Sequence, residues 1–254
     1  MNGNNLKQEI RKTATSYAKM RNLVIDDSHT SAILFRNLAD SFHPDSFANI
    51  GRYPGWNDRI RKLHQNVSGI MKMQSSNSSN ALLMNIFCHP SIQQWTGVKN
   101  LLNNDLAMIE FGVPGKVRLK SGDTDATEID MVLLGVFCEA KLTELDFTRK
   151  RHTIVENYAS LQTIFHVEEL PRVGDEYDNY QIIRNLLAAI EHDREHILLC
   201  DERRPDLVRR YANTVCCLRD VRNRKRCRVI FWQEIAAVCG RDMSEWLKDK
   251  YGIG

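Results

Sequence analysis

ATEIDMVLLGVFCEAKLTELDF, residues 126–147, sets charged side chains inside an otherwise apolar hairpin. Val, Ile, Leu and Phe dominate both arms and Gly135 interrupts them, which is the pattern of a buried β-hairpin. The first arm carries Asp130, and the second carries Glu139 and Lys141, two apart. Side chains along a strand alternate, so Glu139 and Lys141 project on one face while Cys138 and Ala140 project on the other. A loop of two residues (Leu134, Gly135) or four (133–136) sets Asp130 opposite Glu139, with β-carbons about 4.5–5.5 Å apart and like charges repelling. In that register Glu128 sits across from Lys141, and Ile129, Met131, Leu133, Val136 and Cys138 line the reverse as core. A three-residue loop puts the two acids on opposite faces. Leu134 suits the favoured two-residue turns poorly, which favours the longer loop.

A divalent cation turns opposed carboxylates from a liability into a ligand set. Mg²⁺ takes a few carboxylates and keeps waters, and a metal-bound water can attack a phosphodiester. Lys141 would then orient or deprotonate that water, or neutralise charge building on the phosphate. This is the chemistry of phosphodiester hydrolysis.

Asp130 followed by Glu139-Ala140-Lys141 on the next strand resembles the active-site signature of the PD-(D/E)XK nucleases, the restriction-endonuclease-like superfamily. EAKLTELDF is similar to a group of uncharacterised bacterial restriction-endonuclease-like proteins, in which E-x-K is followed by an apolar or aromatic residue, Thr, Glu and then Phe. SSNALLMNIF, MIEF, TEID and VIFWQEIA match the rest of that group's order, so the resemblance spans about residues 76–240. It implies an α/β fold, a mixed β-sheet flanked by helices. It also implies a Mg²⁺-dependent DNA endonuclease, Mn²⁺ substituting, with Asp130 and Glu139 as metal ligands and Lys141 assisting the water. The superfamily often has another acid on its opening helix, where this chain has Asn80 and Asn85. Asn80 is then a partner for a metal-bound water, and Glu110 in MIEF a stand-in third ligand. Gln162, on the helix after E-x-K, and Glu144 are outer members of the site by the same resemblance. The partner implied is DNA, and a homodimer is compatible with it. Two rivals remain: a catalytically weakened DNA-binding or assembly subunit with this fold, and an interaction protein whose E-x-K is a surface ion pair.

Composition sets the frame. With 254 residues, 43% of them hydrophobic, the chain can bury a substantial core, as one large α/β domain or a core with an appendage. A net charge of +3 does not by itself indicate nucleic acid, so any phosphate-binding surface must come from local clusters. The clusters are Arg118 with Lys120, Arg149-Lys150-Arg151, and Arg224-Lys225-Arg226. Any apolar run falls short of the roughly 18 residues a bilayer requires, and the opening MNGNNLKQE lacks a signal-peptide core, so the expectation is a cytoplasmic protein without a membrane partner. Seven cysteines, an odd number without CxxC spacing, point to buried thiols in a reducing compartment.

Residues 1–74 read as a helical N-terminal extension and 75–254 as the nuclease-like core. Helical spacing covers 5–20 and 27–41, HPDSFANIGRYPGW reads as a loop, and a third helix runs from Trp56 to about Met73. Arg59, Arg61, Lys62 and His64 on that helix suit either phosphate contact or a solvated flank. In the core, Ser78 or Ser79 caps a helix starting near Asn80, and LAMIEFGV is a strand. A helix over 152–165 carries Tyr158 and Gln162, and VEELPRVGDEYDNY reads as a loop. A helix spans 178–194, and VIFW is a late buried strand. His192 and His196 are four apart, as in a zinc-binding helix, but the expected glutamate is absent and the apolar run Ile197–Cys200 marks a strand. His43 and His64 have no partners at metal-ligand spacing, which leaves surface or capping roles.

Overall fold

The structure, a computed structural model, describes residues 3–63 and 69–254. Helices α1 (Gly3–Met20), α2 (Pro44–Ile50), α3 (Pro54–Ile60), α4 (Ser79–Phe87) and α5 (Thr96–Leu102) precede strands β1 (Ile109–Pro114), β2 (Glu128–Leu133) and β3 (Val136–Ala140). Helix α6 (Tyr180–Glu191) leads to β4 (Glu195–Cys200) and α7 (Pro205–Cys216) to β5 (Cys227–Phe231). Helices α8 (Trp232–Val238) and α9 (Arg241–Tyr251) follow. The five strands form one mixed sheet in the order β5-β4-β3-β2-β1, parallel from β3 to β5 and antiparallel from β3 to β1. Helices cover both faces, as expected. Met131, Leu133, Cys138 and Ile197 pack with residues of α1, α4, α5 and α9, whereas Val132, Phe137 and Leu198 pack with α6 and α7. Burial on both sides is why these strands read as continuous apolar runs.

The hairpin register is Met131↔Cys138, Val132↔Phe137 and Leu133↔Val136, which leaves only Leu134 and Gly135 in the loop. The longer loop favoured by the sequence does not form. Gly135 takes the positive φ of +74°, so Leu134 needs no left-handed backbone and its side chain is no obstacle. Continued by one step, the register sets Asp130 opposite Glu139. The ladder stops there, because the Asp130 carboxylate, through Oδ2, accepts the Ala140 N–H at 3.0 Å.

The N-terminal third departs from expectation. Residues 27–41 are not a helix: Ile25–Asp26 pairs with Leu34–Phe35, and a 3-10 turn covers Leu38–Ser41. Asp26 accepts the Ser28 N–H at 3.0 Å, a local bond that competes with helix formation. The expected loop over 43–56 contains α2 and the start of α3. Pro44 and Pro54 stand in the first turns of these helices, where a missing N–H costs nothing, so they start helices instead of breaking them. Helix α3 ends at Ile60, well short of Met73, and His64 lies outside the described residues.

Two later elements also differ. The expected helix over 152–165 is split into His152–Val155 and Leu161–Ile164. Between them the Lys120 N–H donates to the Asn157 carbonyl at 2.8 Å, and the Ala159 N–H donates to the Arg118 carbonyl at 2.9 Å. That pairing holds 157–159 out of any helix. The expected loop after Phe165 holds Arg172–Val173 and Glu176–Tyr177, which form a small antiparallel sheet with Lys150–Arg151. All seven cysteines are free thiols, four of them buried. Among the described residues, no helix is long and apolar enough to cross a membrane.

Candidate active site

The sheet's centre holds the acids. Asp130 and Glu139 both line a cavity of about 600 Å³ with Glu128, Asn80, Gln181 and the cations Arg59, Lys62, Lys72 and Arg184. Lys141, the residue after β3, is buried and donates from Nζ to Glu139 Oε1 at 2.7 Å and to Gln181 Oε1 at 2.9 Å. The Glu139–Lys141 pair is therefore an interior one, and a surface ion pair is excluded. Asn185 donates to the other Glu139 oxygen, Oε2, at 2.7 Å, and its own carbonyl accepts from Arg184. The Lys141 carbonyl accepts the indole N–H of fully buried Trp232 at 2.8 Å, which fixes the backbone at the strand's exit.

Electrostatics separate the two acids. Burial and the neighbouring Glu139 charge push Asp130 up from the ordinary carboxylate value of 3.8 to about 7. Burial also acts against the charge on Glu139, but Lys141 outweighs it and holds this carboxyl below its ordinary range. For Lys141, burial disfavours the ammonium, yet Glu139, Glu144 and Asp130 overcome that and raise it above its ordinary value. Near neutrality the pair Glu139–Lys141 is charged, and Asp130 is poised between its two forms.

Arg59 crosses the open side of this constellation. Its guanidinium donates to Glu128 Oε2 at 2.7 Å and to Asn80 Oδ1 at 2.8 Å, and lies 3.8 Å from Asp130 Oδ1. Gly112, in β1, makes room for it: the register places Gly112 opposite Asp130, and an added β-carbon would meet the Arg59 guanidinium at 2.0 Å. Lys62 also pairs with Glu128. Glu128, which the hairpin register sets across from Lys141, bonds to the N-terminal segment.

The remaining sequence candidates fall at various distances from this arrangement. Glu144 accepts the Leu142 N–H at 2.7 Å and the Ser79 hydroxyl at 2.5 Å, beside Lys141. Asn80 lines the cavity. Glu110 is exposed, pairs in register with Val132, and is not among the lining residues. Gln162 is exposed too, its carbonyl bonded to Arg219, because the split of the 152–165 helix turns it away. Gln181 holds the position expected of Gln162. Its signal was present in YQIIRNLLAAI, where Gln181, Arg184 and Asn185 fall at i, i+3 and i+4 of a helix otherwise apolar on that side.

None of the three sequence-predicted basic clusters lines the cavity. Arg118 faces solvent and pairs with Glu191 at 3.6 Å, and Lys120 is exposed. Arg149 pairs with Asp178 at 3.2 Å, Lys150 lies 5.7 Å from the Tyr180 ring, and Arg151 is exposed. Arg224, Lys225 and Arg226 precede β5, whose first residue, Cys227, is level with His196 and Phe137. They sit toward the Leu134-Gly135 end of the sheet, away from the acids. His192 and His196 do not share a helix. His192 is bonded to the Gly115 carbonyl, and His196, in β4, to the Tyr211 hydroxyl.

A mixed five-stranded sheet, flanked by helices and carrying this acid–acid–lysine set on adjacent strands, defines the restriction-endonuclease-like class. A family model described as Restriction Endonuclease associating with ARP matches residues 9–252, and the chain belongs to that family. The match takes in the N-terminal segment that supplies Arg59. No curated protein and no solved structure matches the chain.

Proposed function

We propose that this protein is a divalent-metal-dependent DNA endonuclease that hydrolyses phosphodiester bonds. The observation carrying the reading is the convergence of Asp130 and Glu139, from neighbouring strands, on one open cavity beside the buried Lys141 ammonium. The donor set fits a hard cation: two carboxylates, one of them holding its proton up to about 7 because it is buried beside the other's negative charge. Mg²⁺, or Mn²⁺ in its place, would be held by Asp130 and Glu139 and would supply Lewis acidity and a water of lowered pKa.

The chain's own residues do the rest. Lys141 is held protonated, which supports orienting the attacking water and neutralising phosphate charge over removing a proton. Asn185 and Lys141 fix the two oxygens of Glu139. Arg59, Lys62, Lys72 and Arg184 give the cavity the cations a phosphate backbone requires. Following the family's description, an ARP partner assembles with this chain.

Two observations favour the weakened-subunit reading: an amide, Asn80, stands on the opening helix, and Arg59 sets its own positive charge beside Asp130. Plasmid cleavage in Mg²⁺ and Mn²⁺, wild type against Lys141→Ala, separates the readings. Cutting that the variant loses supports the nuclease. Duplex binding without cutting in either metal supports the weakened subunit. Equal cutting by both proteins would refute the site.

A further inference from the structure

A second group of ligand-type side chains lies away from the acids, where three distant segments meet. His43 caps the start of α2, His89 follows α4, and Asp242 is in the first turn of α9. Ligand atoms of His43, Asp45 and His89 lie within 4.8 Å of one another. Asp242 Oδ2 is 3.4 Å and Asp45 Oδ2 3.9 Å from His89 Nε2. His89 is 2% exposed, and its Nε2 is fully buried without a hydrogen-bond partner among the described residues. A buried polar nitrogen aimed between two carboxylates and a second imidazole is an orphan that invites a ligand.

We propose that His43, His89 and Asp45, completed by Asp242, bind a zinc-type transition-metal ion at a site separate from Asp130 and Glu139. Two imidazoles and carboxylates suit Zn²⁺, Co²⁺ or Ni²⁺, whereas Mg²⁺ prefers oxygen ligands and waters. A tetrahedral shell with bonds of about 2.0–2.1 Å needs ligand atoms closer together than the present spacing. The Asp45 and Asp242 side chains, 62% and 56% exposed, are free to close that gap. The rings stand side by side: His89 stacks on Trp95 at 4.8 Å, and His43 meets His89 edge-on at 5.2 Å. Burial lowers both imidazoles from their ordinary value, which keeps them in the neutral, ligating form near pH 7.

Metal binding has a definite proton balance. Each Nδ1 now accepts a backbone N–H, from Asp45 at 3.3 Å and from Ser91 at 3.2 Å, so each Nε2 carries the ring proton. On binding at Nε2, that proton moves to Nδ1 of the same ring, and the ring shifts to release the backbone N–H that now donates to Nδ1, since two donors cannot face each other. Two long, weak hydrogen bonds are exchanged for two metal–nitrogen bonds, with no net proton release from the rings. The bound ion would tie the start of α2, the turn after α4 and the start of α9 together.

The test is titration of the metal-free full chain with Co²⁺ and Zn²⁺ near pH 7 in excess Mg²⁺. The expected result is one ion per chain, a tetrahedral Co²⁺ spectrum without thiolate charge-transfer bands, and quenching of tryptophan fluorescence from Trp95. Asp45→Asn, at an exposed position that leaves the core intact, and His89→Gln should each weaken binding by ~100-fold or more, since even partners that only orient a ligand are worth 10–100-fold. Glu139→Gln should bind as wild type does. Absence of saturable binding to wild type, thiolate bands, or affinity unmoved by both Asp45→Asn and His89→Gln would overturn the proposal. None of these outcomes depends on nuclease activity.

Discussion

Asp130 is where function and stability are set against each other. Its folded-state proton is held up to about 7, whereas an unfolded chain releases it near 3.8, so between those values the native state binds more protons than the unfolded one. The contribution of Asp130 to metal-free stability therefore falls as pH rises from about 4 to about 7 and is level beyond, by linkage. Asp130→Asn removes that loss. We expect the metal-free variant to melt above wild type by a few degrees at pH 8, by calorimetry, and level with it below pH 4. Metal affinity should rise with pH up to about 7 in wild type and be lost in the variant. Gly112 gives a second prediction. An alanine there meets Arg59 and must hold φ near +64°, so Gly112→Ala should displace the guanidinium and cost about 1–3 kcal/mol in urea unfolding. Arg59→Ala should remove the steric part of the penalty of adding Gly112→Ala and leave the backbone part, and full additivity would contradict the contact. Asp130, Glu139 and Lys141 were legible in the sequence because charges inside an apolar hairpin are conspicuous. Arg59 was legible only as one basic residue on a helix, since nothing local to it points to a glycine more than fifty positions later.

Elements were legible where their period is strong and their partners adjacent. The hairpin's two strands, α4 with a serine cap at 78 or 79, and α6 follow from pattern alone, and so does a strand at VIFW, although that strand lies at the sheet edge with Ile230 its only buried residue and not in the interior. The region 24–62 did not, because Pro44 and Pro54 read equally well as breakers or starters, and the pairing of Ile25–Asp26 with Leu34–Phe35 is too short to leave a period. Helix α6 carries the clearest missed signal, its polar stripe. Asn185 on that stripe donates to Glu139 Oε2, a bond that favours the carboxylate beside the larger effect of Lys141. Asn185→Ala should raise the Glu139 pKa and move the acid limb of the activity profile to higher pH. A limb that stays in place, with activity merely lowered, would mean that Asn185 only packs.

At the scale of the whole chain, the N-terminal segment is not peripheral. Leu6, Ile10, Ala14 and Tyr17 of α1 are buried in the same core as β2, β3 and α9, and the Trp246 indole donates to the Tyr17 hydroxyl at 3.0 Å. Leu6→Ala should cost about 2–5 kcal/mol, the range for a fully buried leucine, in a single cooperative urea transition. An independent early transition would instead mark a separable segment. The resemblance in the sequence stops short of this region, while the family match begins at residue 9. Helical period shows that α1 has an apolar face, but not which distant surface that face covers. The interrupted ladder in the hairpin has one further consequence. The Ala140 amide is held by a carboxylate, not by a strand carbonyl, so its proton resonance should move with the charge on that carboxylate. A single backbone signal would thereby report, without substrate, whether a proton or a metal ion occupies Asp130.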